Sequence, residues 1–94
     1  MFFLGIDIGK NTHVASLLDE KAKIIFKAYS FANTLDAAEA LLVKLEPYKD
    51  SLEIGMEATG HYWLSLYSFL AEHKFIVHVL NPFASSPHIY VRHI

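Results

Sequence analysis

Five apolar segments of strand length and two amphipathic segments of helical length follow one another in an order that leaves few folds open to this chain. The helical segments run from Leu35 towards Pro47 and from His61 to Lys74, where apolar residues recur at helical spacing. The strands are predicted at residues 2–8, 13–18, 23–31, 51–58 and 75–82. The predicted order is therefore β-β-β-α-β-α-β, which is an α/β architecture.

Rules of chain connection convert this order into a single sheet. A strand-helix-strand unit joins parallel strands through a right-handed crossover, whereas the first three strands can pair as antiparallel hairpins. A mixed five-stranded sheet of order 3-2-1-4-5, with strand 2 antiparallel, satisfies both requirements. Both crossovers run in the same direction, so we predict two helices on one face of the sheet and an uncovered opposite face.

The start of the first helix is marked by its residue types. Asn33 and Thr34 offer side-chain oxygens that can cap a helix, and Asp36 lies in the first turn, where a negative charge is favoured. The apolar spacing continues until Pro47. We therefore expect a helix of about three turns that packs one face on the sheet.

Two acidic side chains end neighbouring strands of the predicted sheet. Asp7 lies at the carboxyl end of the first strand and Glu57 at that of the fourth, where ligands bind in open α/β sheets. Successive side chains of a strand alternate between its faces, so both acids fall opposite the large aliphatic residues. The predicted acid-bearing face of these two strands carries Phe3, Gly5, Asp7, Glu53, Gly55 and Glu57.

A pair of carboxylates at this place suits a divalent cation. Two negative charges about 4 Å apart repel by roughly 4 kcal/mol at an intermediate dielectric, and a cation between them removes that repulsion. Mg²⁺ takes one or two carboxylates and keeps its other positions for water and phosphate oxygens. We predict that Asp7 and Glu57 bind Mg²⁺ or Mn²⁺; the competing interpretation is two strand-end acids that reach solvent.

The segment GMEATGHYW, residues 55–63, is the second candidate for chemistry. It is predicted to end a strand at Glu57 and to open a helix at Thr59 and Gly60, whose free N–H groups could hold a phosphate. Lys10, just beyond Asp7, is a third candidate phosphate contact. The competing interpretation is an ordinary threonine cap, a glycine turn and a solvated lysine.

Composition excludes several classes of protein. With 8 basic and 10 acidic residues among 94, the net charge is −2, so no global basic field gathers nucleic acid. There is no cysteine for disulfides or Cys-type zinc sites, and the 6 histidines lack the paired spacing of a zinc site. The 53% hydrophobic content indicates one packed domain, and no apolar run is long enough to span a membrane. We expect a cytoplasmic protein.

Three motifs together resemble a known family. They are FLGIDIGKNTH, LEIGMEATGHYW and VHVLNP, and over residues 2–82 they look like the N-terminal catalytic domain of DEDD-type transposases of bacterial and archaeal insertion sequences. That domain is similar to the Holliday-junction resolvase RuvC, within the ribonuclease H-like fold. The resemblance implies that Asp7 and Glu57 are two of four catalytic carboxylates, that Mg²⁺ supports cleavage and rejoining of DNA, and that a guide RNA takes part in some members.

The chain departs from the family pattern after its fifth predicted strand. Family members continue into a basic stretch and a helix with the last two aspartates, whereas this sequence has no Asp or Glu after Glu72. We therefore interpret residues 1–82 as a partial catalytic domain, truncated before that helix, and residues 83–94 as a divergent tail. As an isolated chain we expect it to bind metal weakly, to lack catalytic activity, and to form a homo-oligomer through the uncovered sheet face.

Two alternatives stay open at this point. The stretch GIDIGKNT, residues 5–12, also looks like the first phosphate loop of the sugar-kinase, Hsp70 and actin superfamily, in which an Asp-x-Gly motif contacts nucleotide phosphate and metal. That motif does not account for Glu57. The other alternative is a non-catalytic interaction module that regulates a full-length transposase, and it uses the same fold.

Overall fold

The strands of the chain form one mixed sheet. The structure is a computed structural model that describes residues 1–58, 60–80 and 89–92. Its strands are β1 (Phe2–Asp7), β2 (Thr12–Asp19), β3 (Ile24–Ala32), β4 (Leu52–Glu57), β5 (Ile76–Leu80) and β6 (Ile89–Arg92). Its α-helices are α1 (Leu35–Leu45), which continues into a 3-10 helix (Glu46–Ser51), and α2 (Leu64–Glu72).

The strand order confirms the predicted topology. The sheet runs β3-β2-β1-β4-β5-β6, so its first five positions reproduce the expected 3-2-1-4-5 arrangement. Strand β2 is antiparallel to both β1 and β3, whereas β1 pairs parallel with β4 and β4 pairs parallel with β5. The hairpins and the two crossovers therefore occur where the order of elements requires them.

The sixth strand was not predicted. Strand β6 lies within the segment interpreted as a divergent tail and pairs antiparallel with β5. Its sequence, IYVR, is rich in the β-branched and aromatic residues that favour strands. A strand at the edge of a sheet presents unpaired N–H and C=O groups, and β6 satisfies those of β5 on that side. The sheet thus has one more strand than the sequence analysis expected.

The two helices begin differently. The Thr34 side chain accepts a hydrogen bond from the Ala37 N–H at 3.2 Å, which confirms the predicted cap of α1. The predicted start of the second helix at His61 is wrong, because α2 begins at Leu64 and has no side-chain cap. Gly60 adopts a positive φ of 59°, so the chain turns there before the helix can start.

The core lies on one face of the sheet. Residues of β1 and β4 alternate between buried and more exposed, and both helices contribute to the same hydrophobic cluster. The buried side chains that define this face are Leu4, Ile6, Leu41, Leu45, Ile54, Met56, Leu66 and Leu70. The helices therefore share one face, as predicted, and no described element covers the acid-bearing face. Among the described residues, no helix has the length and apolar character needed to cross a bilayer.

Candidate active site

Asp7 and Glu57 end adjacent parallel strands. The register of β1 and β4 pairs Phe2 with Leu52 and Ile6 with Met56, and the same register brings Asp7 beside Glu57. Neighbouring strands of a sheet lie about 4.8 Å apart. Both side chains are exposed on the face opposite the core. The structure therefore brings together the two acids that the sequence analysis singled out.

The two carboxylates line one depression in the sheet surface. It has a volume of about 500 Å³, and its lining includes Asp7, Glu57 and the backbone at Gly5 and Gly55. These glycines face each other in the register of β1 and β4, and a Cβ at either one would meet no atom within 4 Å. The missing side chains therefore create the open space in front of the acids.

Apolar residues flank the acid pair along the row that crosses the sheet. Val14 of β2 is the partner of Asp7, and Leu80 of β5 is the partner of Glu57. Both flanking side chains are only partly exposed, and both line the same depression. Apolar flanks lower the local dielectric, which strengthens the attraction between a carboxylate pair and a cation.

Neither carboxylate is engaged by another side chain in the described part of the protein. The side-chain hydrogen bonds and the ion pair of the described residues involve neither Asp7 nor Glu57. Within these same residues, no third His, Cys, Asp or Glu joins the pair to complete a metal-binding cluster. Among the described residues, no side chain therefore competes with an external ligand for the oxygen lone pairs of the two acids.

Two of the three candidate phosphate contacts, Lys10 and Gly60, do not line the depression that holds the acids. Lys10 is exposed in the turn after β1, and it is not among the residues that line the depression. Gly60 is exposed too, and its carbonyl accepts a hydrogen bond from the Trp63 indole N–H at 3.2 Å. Because α2 begins at Leu64, the N–H of Gly60 is not one of the free N–H groups of that helix. Thr59 lies outside the described residues.

A histidine and a glutamate on the acid-bearing face form a contact that the sequence analysis did not predict. His78 Nε2 lies 2.5 Å from Glu53 Oε1, and both side chains are half-buried on the acid-bearing face. In the sheet register His78 is the partner of Gly55, and Glu53 precedes Gly55 by two residues on the same face. The alternation of side chains, applied to β5 as well as to β4, is the signal that would have found this pair.

The fold and the acid pair define a class of protein. The first five strands of the mixed sheet, in the order β3-β2-β1-β4-β5 and with helical crossovers, have the topology of a ribonuclease H-like fold, and the two acids end β1 and β4. A family model described as a transposase, of the DEDD type in the IS110 group, matches residues 4–89. Because the match covers most of the chain, including both acids, the protein belongs to this transposase family. No curated protein matches the chain.

Proposed function

We propose that this chain is the N-terminal part of a transposase catalytic domain that acts in DNA transposition by metal-dependent cleavage and rejoining of DNA strands. The observation that carries the proposal is the pair of adjacent, exposed carboxylates, Asp7 and Glu57, which line one depression. The match to the transposase family supports the same conclusion. DNA is the substrate, and the guide RNA implied by the resemblance for some members stays a prediction.

The carboxylate pair fits Mg²⁺ or Mn²⁺. Both are hard cations that prefer oxygen ligands, and Mg²⁺ is held in proteins by one or two carboxylates while keeping several waters. Asp7 and Glu57 supply two such carboxylates with no competing partner among the described side chains. A bound ion of this kind polarises a phosphoryl oxygen and lowers the pKa of a bound water.

The residues around the two acids fix the spacing of the carboxylates and leave room for DNA to approach them. Parallel pairing of β1 and β4 fixes the spacing of the two carboxylates, because their backbones belong to the centre of the sheet. Gly5 and Gly55 keep the neighbouring surface low, so that a bulky phosphodiester backbone can approach the acids. With a net charge of −2, the chain does not attract DNA through a general basic field, so its contacts with DNA have to be local.

The metal site is tested by titration of the 94-residue chain with Mn²⁺. We expect calorimetry and electron paramagnetic resonance to show one weakly bound ion, and we expect Asp7→Asn and Glu57→Gln each to weaken binding at least about tenfold, because each removes half of the ligand charge. Glu39→Gln is the matched control, since Glu39 is an exposed acid on α1, on the other side of the sheet.

Identical heats for the wild type and Asp7→Asn would overturn the metal assignment. Equal weakening by Glu39→Gln would show that Mn²⁺ responds only to overall charge. ATP binding by the wild-type chain, lost in Asp7→Asn and retained in Glu57→Gln, would instead favour the phosphate-loop interpretation.

We also propose that the 94-residue chain does not cleave DNA. A two-metal reaction needs ions about 3.5–4 Å apart that are held from several sides, and the two acids at the site are enough for one ion. No Asp or Glu follows Glu72 in the sequence. We expect no cleavage of duplex or branched DNA in Mg²⁺ or Mn²⁺, and metal-dependent cutting that disappears in Glu57→Gln would contradict this.

The uncovered sheet face is the proposed surface for self-association. Phe3 is 43% exposed there, and Ile76 of β5 is 36% exposed. Large exposed apolar side chains on a sheet face are common at protein–protein contacts, because association removes them from water. We propose that a second copy of the chain packs on this face to form a homo-oligomer.

A further inference from the structure

The turn between β1 and β2, residues 8–11, is folded so tightly that one of its positions cannot carry a side chain. A Cβ at Gly9 would lie 2.3 Å from the carbonyl oxygen of Thr12, and that oxygen belongs to the backbone. A backbone atom cannot move aside as the end of a flexible side chain can. This turn directly follows Asp7, so its conformation fixes where β1 ends.

A buried histidine holds the turn from the inside. The Gly9 N–H donates a hydrogen bond of 3.2 Å to Nδ1 of His13, whose side chain is fully buried. The imidazole packs edge-on against Phe31, with 5.4 Å between the ring centroids. His13 thus lies in the core and contacts the backbone of the turn that follows Asp7.

The hydrogen bond to Gly9 accounts for a polar residue at this core position. In a neutral imidazole with an accepting Nδ1, the proton is on Nε2. Within the described residues, Nε2 of His13 is buried and has no hydrogen-bond partner. An unpaired buried polar atom lowers stability, whereas a leucine would fill similar space without one. The imidazole is therefore explained by the hydrogen bond that Nδ1 accepts.

An asparagine holds the same turn from the outside. The Asn33 backbone N–H donates to the carbonyl of Asn11 at 2.9 Å, and its side-chain Nδ2 donates to the carbonyl of Lys10 at 3.4 Å. Asn33 lies between β3 and α1. Three consecutive turn residues, Gly9, Lys10 and Asn11, are therefore hydrogen-bonded to residues outside the turn.

We propose that His13 is a positioning residue for the carboxylate site, acting through the turn it holds, with Asn33 as the second support. Among the described residues Asp7 makes no side-chain hydrogen bond that could orient it. Its place beside Glu57 therefore depends on the backbone, which is fixed by β-pairing on one side and by the turn on the other. This inference rests on the proposed metal site.

The test compares two amide substitutions of the same histidine. In His13→Asn the side-chain oxygen takes the place of Nδ1 and can accept from Gly9, whereas in His13→Gln the oxygen extends towards the place of Nε2. Amide exchange by NMR reports the turn, and Mn²⁺ titration reports the site. We expect His13→Gln to speed exchange of the Gly9 amide and to raise the Mn²⁺ dissociation constant, each by about tenfold. We expect His13→Asn to stay close to the wild type in both.

A purely structural role for His13 predicts the opposite order. Gln is closer to His in volume than Asn is, so packing alone would favour His13→Gln over His13→Asn. Phe31→Leu is the matched control, because it removes the aromatic contact with the imidazole and leaves the hydrogen bond to Gly9. We expect it to lower the unfolding midpoint without selectively speeding exchange of the Gly9 amide.

Two results would overturn the proposal. In the first, the Gly9 amide of His13→Gln exchanges at the same rate as in the wild type. In the second, that amide exchanges faster in His13→Gln but the Mn²⁺ affinity is unchanged. Should the wild type bind no Mn²⁺, the proposed metal site fails, and the exchange data still decide whether His13 holds the turn.

Asn33→Ala is a second variant that removes only the hydrogen bond to the Lys10 carbonyl. We expect the same changes in amide exchange and Mn²⁺ affinity on a smaller scale. Unchanged exchange rates of the turn amides would argue against Asn33 as the second support.

Discussion

Three glycines near Asp7 and Glu57 have two different roles. Gly5 and Gly55 face each other on the sheet surface and have open space where a Cβ would be, so they shape the depression without being required by the backbone. Gly9 is required by the backbone, because its Cβ position is occupied by the Thr12 carbonyl. At the scale of single residues, access to the acids and the end of β1 are therefore controlled at separate positions.

This difference predicts opposite tolerance to alanine. We expect Gly9→Ala to lower the free energy of unfolding by roughly 1–3 kcal/mol, because the new methyl group overlaps a backbone oxygen. Gly5→Ala serves as the control and should leave that free energy unchanged or raise it by up to about 1 kcal/mol, because alanine loses less backbone entropy on folding than glycine. Urea unfolding followed by circular dichroism measures both. Equal stability of the two variants would show that the turn relaxes more easily than its geometry indicates.

At the scale of elements, the two helices differ in how their first turns are satisfied. Thr34 caps α1 with its hydroxyl, and Asp36 places a negative charge in the first turn. The residue before α2 is Trp63, which gives no side-chain cap, and its indole N–H reaches back to the Gly60 carbonyl. The start of α1 was predicted from local chemistry, whereas that of α2 was placed three residues too early.

The cap of α1 can be tested separately from the core. We expect Thr34→Ala to destabilise the protein by about 1 kcal/mol, since the Ala37 N–H loses its acceptor. Thr34→Ser keeps the hydroxyl and should restore most of the loss. Chemical unfolding of the two variants beside the wild type provides the measurement, and a loss that is equal in both would mean that the methyl group of Thr34, and not its hydroxyl, is what matters.

At the scale of the whole molecule, the sheet has one covered and one uncovered face among the described residues. Both helices pack on the same side, and the other side carries Phe3 with the acids. A homo-oligomer through this face would bury apolar surface, but it would also bring the carboxylates of two copies closer together. We therefore expect association to be favoured by the divalent cation that the acids bind.

The proposed oligomer gives a prediction for a single surface residue. We expect light scattering to show association of the wild type that increases with Mn²⁺, and Phe3→Ser to give a monomer under the same conditions. Val43→Ser is the control, because Val43 is 76% exposed, more than Phe3, and lies on α1 away from this face. A wild type that stays monomeric at high concentration, or equal effects of the two variants, would contradict the proposed interface.

Much of the fold and the acid pair could be predicted from the sequence because both follow from local periodicity and from general rules of connection. The order of elements, with right-handed crossovers, gave the sheet order, and the alternation along β1 and β4 placed Asp7 and Glu57 on one face. These arguments need only the spacing of residues within a segment and the direction of each connection.

The features that escaped prediction depend on residues that meet only after folding. Strand β6 exists by pairing with β5, and His78 meets Glu53 across two strands. His13 shows the difference most clearly. The predicted strand at residues 13–18 begins with His13, but only the folded turn brings the Gly9 N–H to the Nδ1 atom of this histidine.

The sequence alone determined which residues share a face, because that follows from strand geometry. Tertiary structure decided which of them touch, because turn conformation and long-range pairing set those distances.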